Sequence, residues 1–119
     1  MTTTFNYDLA SADATIVLIS KVRLEIGDTV EGRGVRPDGS NLSDEEISYW
    51  LTEETDVFLL AAARACDALS RAWANYVNTT AGKLKEELDT VSAKYATAAA
   101  DLRSQYAASA SERPTVYFI

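Results

Sequence analysis

A run of about twenty residues in the middle of the chain places its apolar side chains at strictly helical spacing. These side chains recur every three or four residues, as on one face of an α-helix: Phe58, Ala62, Ala65, Cys66, Leu69, Trp73, Tyr76 and Val77. Five alanines within 61–68 give the run a smooth surface, which lets neighbouring helices approach closely. We therefore predict a long helix over about 56–77, capped by Thr55 or Asp56, as the organising element of the fold.

Two shorter helices are predicted upstream from their start and stop signals. The first covers about 12–26 and ends at Gly27, because glycine readily adopts the left-handed conformation that closes a helix. The second covers about 44–53 and starts at Ser43, since Ser43 and Glu46 have the spacing of a capping box. Each helix therefore has one end that a local signal defines.

A last helix is predicted over about 89–109, again with apolar or small residues at helical spacing: Val91, Tyr95, Ala99, Leu102 and Tyr106. Residues 83–88 before it are compatible with either helix or an extended connector. Residues 27–42 hold four of the five glycines and one of the two prolines, so we predict an irregular loop there. A loop of this length is usually functional or disordered.

Together these elements predict an all-α fold. It is a small four-helix domain over 11–110 with two long antiparallel helices and one long loop. An N-terminal arm over 1–10 precedes the domain, and an extended tail over 111–119 follows it. The side chains expected in the core are Trp50, Phe58, Leu69, Trp73, Tyr95 and Leu102.

The charge of the chain is acidic and unevenly distributed. The formal net charge is −7, with 11 basic and 18 acidic residues, which argues against a surface built to grip nucleic acid. Six acids lie between Ser43 and Asp56 with no basic residue among them: Asp44, Glu45, Glu46, Glu53, Glu54 and Asp56. Some of them lie near a helix N-terminus, where the helix dipole stabilises negative charge. Six exceed what helix caps require, so we expect a mostly exposed acidic surface.

The residues that most often carry catalysis or bind metals are scarce. The sequence has no histidine and a single cysteine, Cys66, which lies in the helical apolar pattern and is expected to be a core residue. Gly32 and Gly34 lack the strand–turn–helix context of a phosphate loop. The carboxylate pairs are adjacent in sequence and would point to different helix faces. We expect no enzymatic activity, no cofactor and no metal site.

The C-terminal end is apolar and rich in residues with high β-propensity. After the proline it reads Thr115, Val116, Tyr117, Phe118 and Ile119, and Pro114 biases the residue before it away from helix. Such a segment can add a strand to a sheet edge on another chain. The alternative is a tail that folds back on its own domain.

The order of several segments resembles the head–tail adaptor (head completion) proteins of tailed bacteriophages. The segments are R-L-x-I-G-D-T from Arg23, S-D-E-E-I from Ser43, A-A-A-R-A-x-x-A-L from Ala61 and L-R at Leu102, within about residues 18–105. The resemblance implies a small helical domain that forms a ring, typically of twelve copies, beneath the portal at the head vertex. The ring extends the DNA channel and joins the head to the next connector component.

The resemblance also implies partners and sites. The partners would be the portal protein, a stopper or tail-terminator protein, other copies of the chain, and passing DNA through non-specific contacts only. The tail over 114–119 would grip the portal, the six acids would face the channel or the next connector, and Val17 and Leu24 would form a subunit interface. The location would be the virion, with host cytoplasm during assembly and no membrane. The alternative is a small acidic helical regulator or inhibitor of a phage or host partner.

Overall fold

The computed structural model describes residues 4–79 and 84–112, and confirms an all-α fold of four helices. Helix α1 covers Ala14–Ile26, α2 covers Asp44–Glu53, α3 covers Phe58–Thr79 and α4 covers Leu84–Glu112. Within these residues no strand forms, and one isolated bridge joins Val30 and Arg33. The bounds of α2 are those predicted from the sequence.

The ends of α1 follow its local signals. The Asp13 side chain accepts a hydrogen bond from the Thr15 amide and caps the helix, so α1 begins two residues later than expected. Gly27 has a φ of 79° and closes the helix, and the Asp28 amide donates to the carbonyl of Arg23 at 3.0 Å. This is the hydrogen bond of a Schellman motif. The motif sends the chain directly into the loop with Asp28 fixed beside α1.

Both long helices differ from their predicted bounds at both ends. Helix α3 is shifted by two residues relative to 56–77, because Thr55 and Asp56 have left-handed backbone conformations instead of capping it. Helix α4 extends beyond 89–109 at both ends. Residues 84–88 belong to it, and so do residues 111–112, which were expected to be part of the extended tail.

Helices α3 and α4 run antiparallel in close contact. Their small side chains permit this approach, and two serines join the helices directly. The hydroxyl of Ser70 donates to the carbonyl of Ser92 at 3.0 Å, and the hydroxyl of Ser92 donates to the carbonyl of Ser70 at 2.9 Å. Each hydroxyl thus donates to a backbone carbonyl of the opposite helix, which fixes the register of the two helices.

The core lies where α1, α2 and α4 meet α3, and its buried apolar residues come from all four helices and the loop: Ile19, Val22, Ile26, Leu42, Ile47, Leu51, Ala61, Ala62, Ala63, Ala65, Cys66, Leu69, Ala99 and Leu102. Of the six expected core residues, Leu69 and Leu102 are buried. The larger aromatic side chains of Trp50, Phe58 and Tyr95 pack against its edge and stay half-buried. Alanines occupy the centre because they let the helix axes come close.

Trp73 is also half-buried, for a polar reason. Its indole Nε1 donates to the carbonyl of Val35 at 2.9 Å, which ties α3 to the loop. An indole N–H needs a partner when it leaves water. The side chain therefore stays at the boundary between helix and loop.

The loop over 27–42 is irregular, as predicted, and is held by its own hydrogen bonds. The Gly34 amide donates to the Gly39 carbonyl at 2.8 Å, and the Arg36 amide donates to the Ser40 carbonyl at 3.3 Å. A Cβ atom at Gly34 would lie 1.8 Å from the Ser40 carbonyl oxygen, so any other residue there would clash with backbone. This close approach folds the loop back on itself beside α3.

Replacing Thr55 by glycine is expected to raise the free energy of unfolding by about 0.5–1 kcal/mol. Thr55 has a φ of 57°, a region that costs a β-branched residue energy but that glycine occupies freely. Chemical denaturation at pH 7 measures the change. The matched control is Thr52→Gly inside α2, which should lower stability by roughly 1 kcal/mol. A loss of stability in both variants would contradict the prediction.

Candidate functional site

One arginine and two carboxylates form a buried ion cluster at the junction of α1 and α2, here called the Arg23 cluster: Arg23, Asp28 and Asp44. Arg23 Nη1 donates to Asp28 Oδ2 at 2.8 Å, and Nη2 donates to Asp44 Oδ1 at 2.8 Å. Arg23 and Asp28 are fully buried, and Asp44 is 7% exposed. Moving such charges out of water is costly unless close partners replace the lost hydration.

The N-terminal arm completes the cluster on one side. Arg23 Nε donates to the carbonyl of Asn6 at 2.9 Å, and the Asn6 amide donates to Asp44 Oδ1 at 3.0 Å. The ring of Phe5 lies over the guanidinium, with 4.1 Å between the ring centroid and Cζ. The carbonyl of Thr4 accepts from the Asp44 amide at 2.9 Å. The arm is thus held against α1 and α2 as part of the fold.

The loop completes the cluster on the other side. Asp28 Oδ2 accepts from the Leu42 amide at 2.9 Å, and Oδ1 accepts from Asn41 Nδ2 at 2.7 Å. In the described part of the chain, every buried side-chain nitrogen and oxygen has a hydrogen-bond partner. The Arg23 cluster therefore joins arm, α1, loop and α2, and all its polar groups are engaged within the chain. It can hold these segments together but presents no reactive group to a ligand.

The acidic segment over 44–56 is divided between structural and exposed roles. Asp44 is buried against Arg23, which corrects the expectation of an exposed side chain there. Glu46 is half-buried and forms an ion pair with Arg36. Both carboxylates have partners outside the segment, which a local pattern of acids does not reveal.

The other four acids lie nearer the surface. Glu54 is half-buried, and its Oε2 accepts from Arg64 Nε at 2.5 Å. Glu45, Glu53 and Asp56 are exposed, and we call the two of them that lie on α2, Glu45 and Glu53, the acidic face of α2. Their role toward a channel or connector stays a prediction.

Glu46 also closes the capping box of α2. Its Oε1 accepts from the Ser43 amide at 2.9 Å, while its own amide donates to Ser43 Oγ at 3.1 Å. Burial raises the pKa of Glu46, but the hydrogen bonds from Arg36 and Ser43 together outweigh it and hold the pKa below the ordinary 4.5. The ionised form is therefore the one that the fold favours.

Replacing Glu46 by glutamine is expected to reduce the acid sensitivity of the fold. Because the folded-state pKa is lowered, the carboxylate stabilises the fold above its unfolded pKa, and this contribution is lost as the pH falls through the folded value. The variant should be less stable at pH 7, by less than about 1 kcal/mol because the pair is partly exposed. Urea unfolding of wild type and variant at neutral and at acidic pH measures the difference between their free energies of unfolding, and this difference should be smaller at acidic pH. Glu45→Gln serves as the control. A difference between wild type and Glu46→Gln that is equal at both pH values would contradict the prediction.

The candidate subunit interface on α1 is partly accessible. Leu24 is 52% exposed, and Val17 is half-buried outside the core. Both are available to a neighbour, and their role stays a prediction. The candidate docking tail over 114–119 lies outside the described residues.

A cleft that was not predicted from the sequence lies between α3, α4 and the C-terminal end of α2. It has a volume of about 320 Å³ and its lining is mostly polar: Trp50, Glu54, Arg64, Asp67, Arg71 and Arg103. We call this cleft the arginine groove. Arg64 and Arg71 are seven residues apart on α3, so they share one helix face. That spacing was visible in the sequence, but the contribution of Arg103 from α4 depends on how the helices pack.

Cys66 is a core residue, as expected, and is 1% exposed. Burial raises the pKa of its thiol to about 11, so the nucleophilic thiolate is disfavoured. Among residues 4–79 and 84–112, no group of three or more histidine, cysteine or acidic residues could hold a metal ion.

None of the helices in the described ranges combines the length and apolar character that crossing a membrane requires. In comparisons with known proteins, no protein-family model, no curated protein and no solved structure matches this chain.

Proposed function

We propose that the chain is a structural head–tail connector protein of a tailed bacteriophage. In this role it forms a ring under the portal, extends the DNA channel and joins head to tail components. The proposal starts from the resemblance to head–tail adaptor proteins. What supports it most is where the residues of that resemblance lie in the fold.

Two separate segments of the resemblance meet in the Arg23 cluster. The segment starting at Arg23 supplies Arg23 and Asp28, and the segment starting at Ser43 supplies Asp44. Their residue types are therefore those that one buried ion cluster requires. A pattern that arises only from composition has no reason to converge in space. This convergence is the observation that carries the proposal.

The exposed surfaces are compatible with a conduit. The chain has a net charge of −7, so its surface repels the phosphates of duplex DNA, and a channel wall that repels its cargo lets it slide. Leu24 and Tyr49 are 52% and 57% exposed, which leaves large apolar side chains available for contacts between copies. These features support an assembly protein more than a protein that grips nucleic acid.

The direct test is co-expression with the portal protein encoded in the same phage genome. We expect the two chains to purify together, and electron micrographs to show a ring of this chain beneath the portal. Failure to bind the portal, combined with a stable dimer that inhibits an enzyme, would instead favour the small acidic regulator.

Deleting residues 114–119 tests the tail in the same assay. We expect portal attachment to be lost, while the helical circular dichroism of the isolated domain stays unchanged. If the deletion unfolds the domain, the tail belongs to its own core and the docking role fails. The matched control is a change within the tail from Thr115 to serine, which keeps its length and apolar residues.

A further inference from the structure

The arginine groove has more hydrogen-bond donors than its own carboxylates use. Arg64 Nε donates to Glu54 at 2.5 Å, and Arg103 Nη2 donates to Asp67 at 2.6 Å. Each bond engages one nitrogen of a guanidinium that carries five N–H donors. Arg71 is exposed and has no ion pair in the described part of the chain. The groove therefore has positive charge and donors left for an external acceptor.

The ligand chemistry that fits these donors is a carboxylate. Guanidinium groups bind planar oxyanions with two parallel hydrogen bonds, and clusters of them recognise acidic protein segments. A nucleic acid carries the same sign of charge as the rest of this chain, whose net charge is −7, so long-range repulsion opposes it. A protein surface with a few carboxylates fits a small groove better.

The chain itself presents such a surface. Glu45, Tyr49 and Glu53 follow each other at intervals of four residues along α2, so they form one exposed stripe. Tyr49 is 57% exposed in the centre of the stripe, and Asp56 lies just beyond its end. Tyrosine is enriched at the centre of protein interfaces, and the charged residues on either side of it suit the polar rim of such an interface.

We propose that the arginine groove of one copy binds the acidic face of α2, together with Tyr49, on a second copy. The occupant is chosen by charge complementarity between two surfaces of the same chain. Because donor and acceptor are different surfaces, the contact is heterologous, and repeated contacts close into a ring or extend as a filament. Ring closure rests on the proposed function, whereas the contact itself does not require a portal.

The experiment is a charge exchange on the full chain, measured by sedimentation velocity at low ionic strength over a concentration series. Arg71→Glu reverses the free arginine of the groove, and the double variant Glu45→Arg, Glu53→Arg reverses the acidic face. Each is expected to weaken self-association about tenfold or more, because like charges then meet. Combining all three substitutions in one chain restores opposite charges and is expected to recover association.

Matched controls carry the same charge changes elsewhere. Arg33→Glu in the loop and Asp101→Arg on α4 alter exposed residues outside both surfaces, and they should associate as the wild type does. Circular dichroism confirms that each variant keeps its helices. Raising the salt concentration should weaken wild-type association.

Three results would overturn the inference. They are a wild-type chain that stays monomeric up to about 1 mM, an Arg71→Glu variant that associates normally, or a combined variant that does not recover. The outcomes separate this inference from the proposed function. If the chain self-associates through the groove but does not bind the portal, the connector role fails and the proposed contact stands. If the Arg71→Glu variant still forms rings on the portal, the connector role stands and the proposed contact fails.

Discussion

Replacing Arg23 by methionine is expected to lower the free energy of unfolding by about 3–5 kcal/mol. Methionine has a similar length but no charge, so two carboxylates remain at the buried junction without their partner. The Asn6 carbonyl also loses the donor that holds the arm. Chemical denaturation followed by circular dichroism measures the loss.

A lysine at the same position tests the geometry of the cluster. The ammonium group keeps the positive charge, but it cannot reach Asp28, Asp44 and the Asn6 carbonyl as the planar guanidinium does. We expect Arg23→Lys to be intermediate between wild type and Arg23→Met. Arg33→Met is the control for losing an exposed arginine and should change stability by less than about 0.5 kcal/mol. Equal effects at Arg23 and Arg33 would show that the cluster does not stabilise the fold.

Replacing Leu69 by alanine should lower the free energy of unfolding by about 2–5 kcal/mol. Leu69 is 1% exposed in the core that α3 shares with the other helices. The smaller residue loses burial of apolar surface and leaves a cavity that rigid helices fill only in part. Leu24→Ala, at a residue that is 52% exposed, is the matched control and should cost much less. A cost below about 1 kcal/mol at Leu69 would mean that the register of α3 is wrong.

Much of the helical architecture could be predicted because its signals are local. The capping box at Ser43 and the glycine after α1 act within one turn of the helix they bound, and both lie where the sequence places them. The start of α3 was displaced because Thr55 and Asp56 adopt left-handed conformations that their residue types do not announce. Backbone strain of this kind depends on the packing of the helices on either side.

The interaction surfaces were harder to predict because their charges pair across long sequence separations. Asp44 looked like one of several exposed acids, but its partner Arg23 is 21 residues away on another helix. Asp67 and Arg103 are 36 residues apart, and only the antiparallel packing of α3 and α4 brings them together. Local composition therefore predicted an acidic surface and overlooked the basic groove beside it.

The position of Cys66 makes the thiol a built-in reporter of core breathing. It is the only cysteine in the chain, and it is buried among residues from all four helices. An alkylating reagent can reach it only when the helices separate transiently, so the labelling rate follows the population of opened molecules as long as reclosing is faster than labelling. Variants that destabilise the hydrophobic core should be labelled faster, whereas variants that change only surface charges should be labelled at the wild-type rate. One unmodified side chain thus distinguishes loss of folding from loss of assembly in a single kinetic measurement.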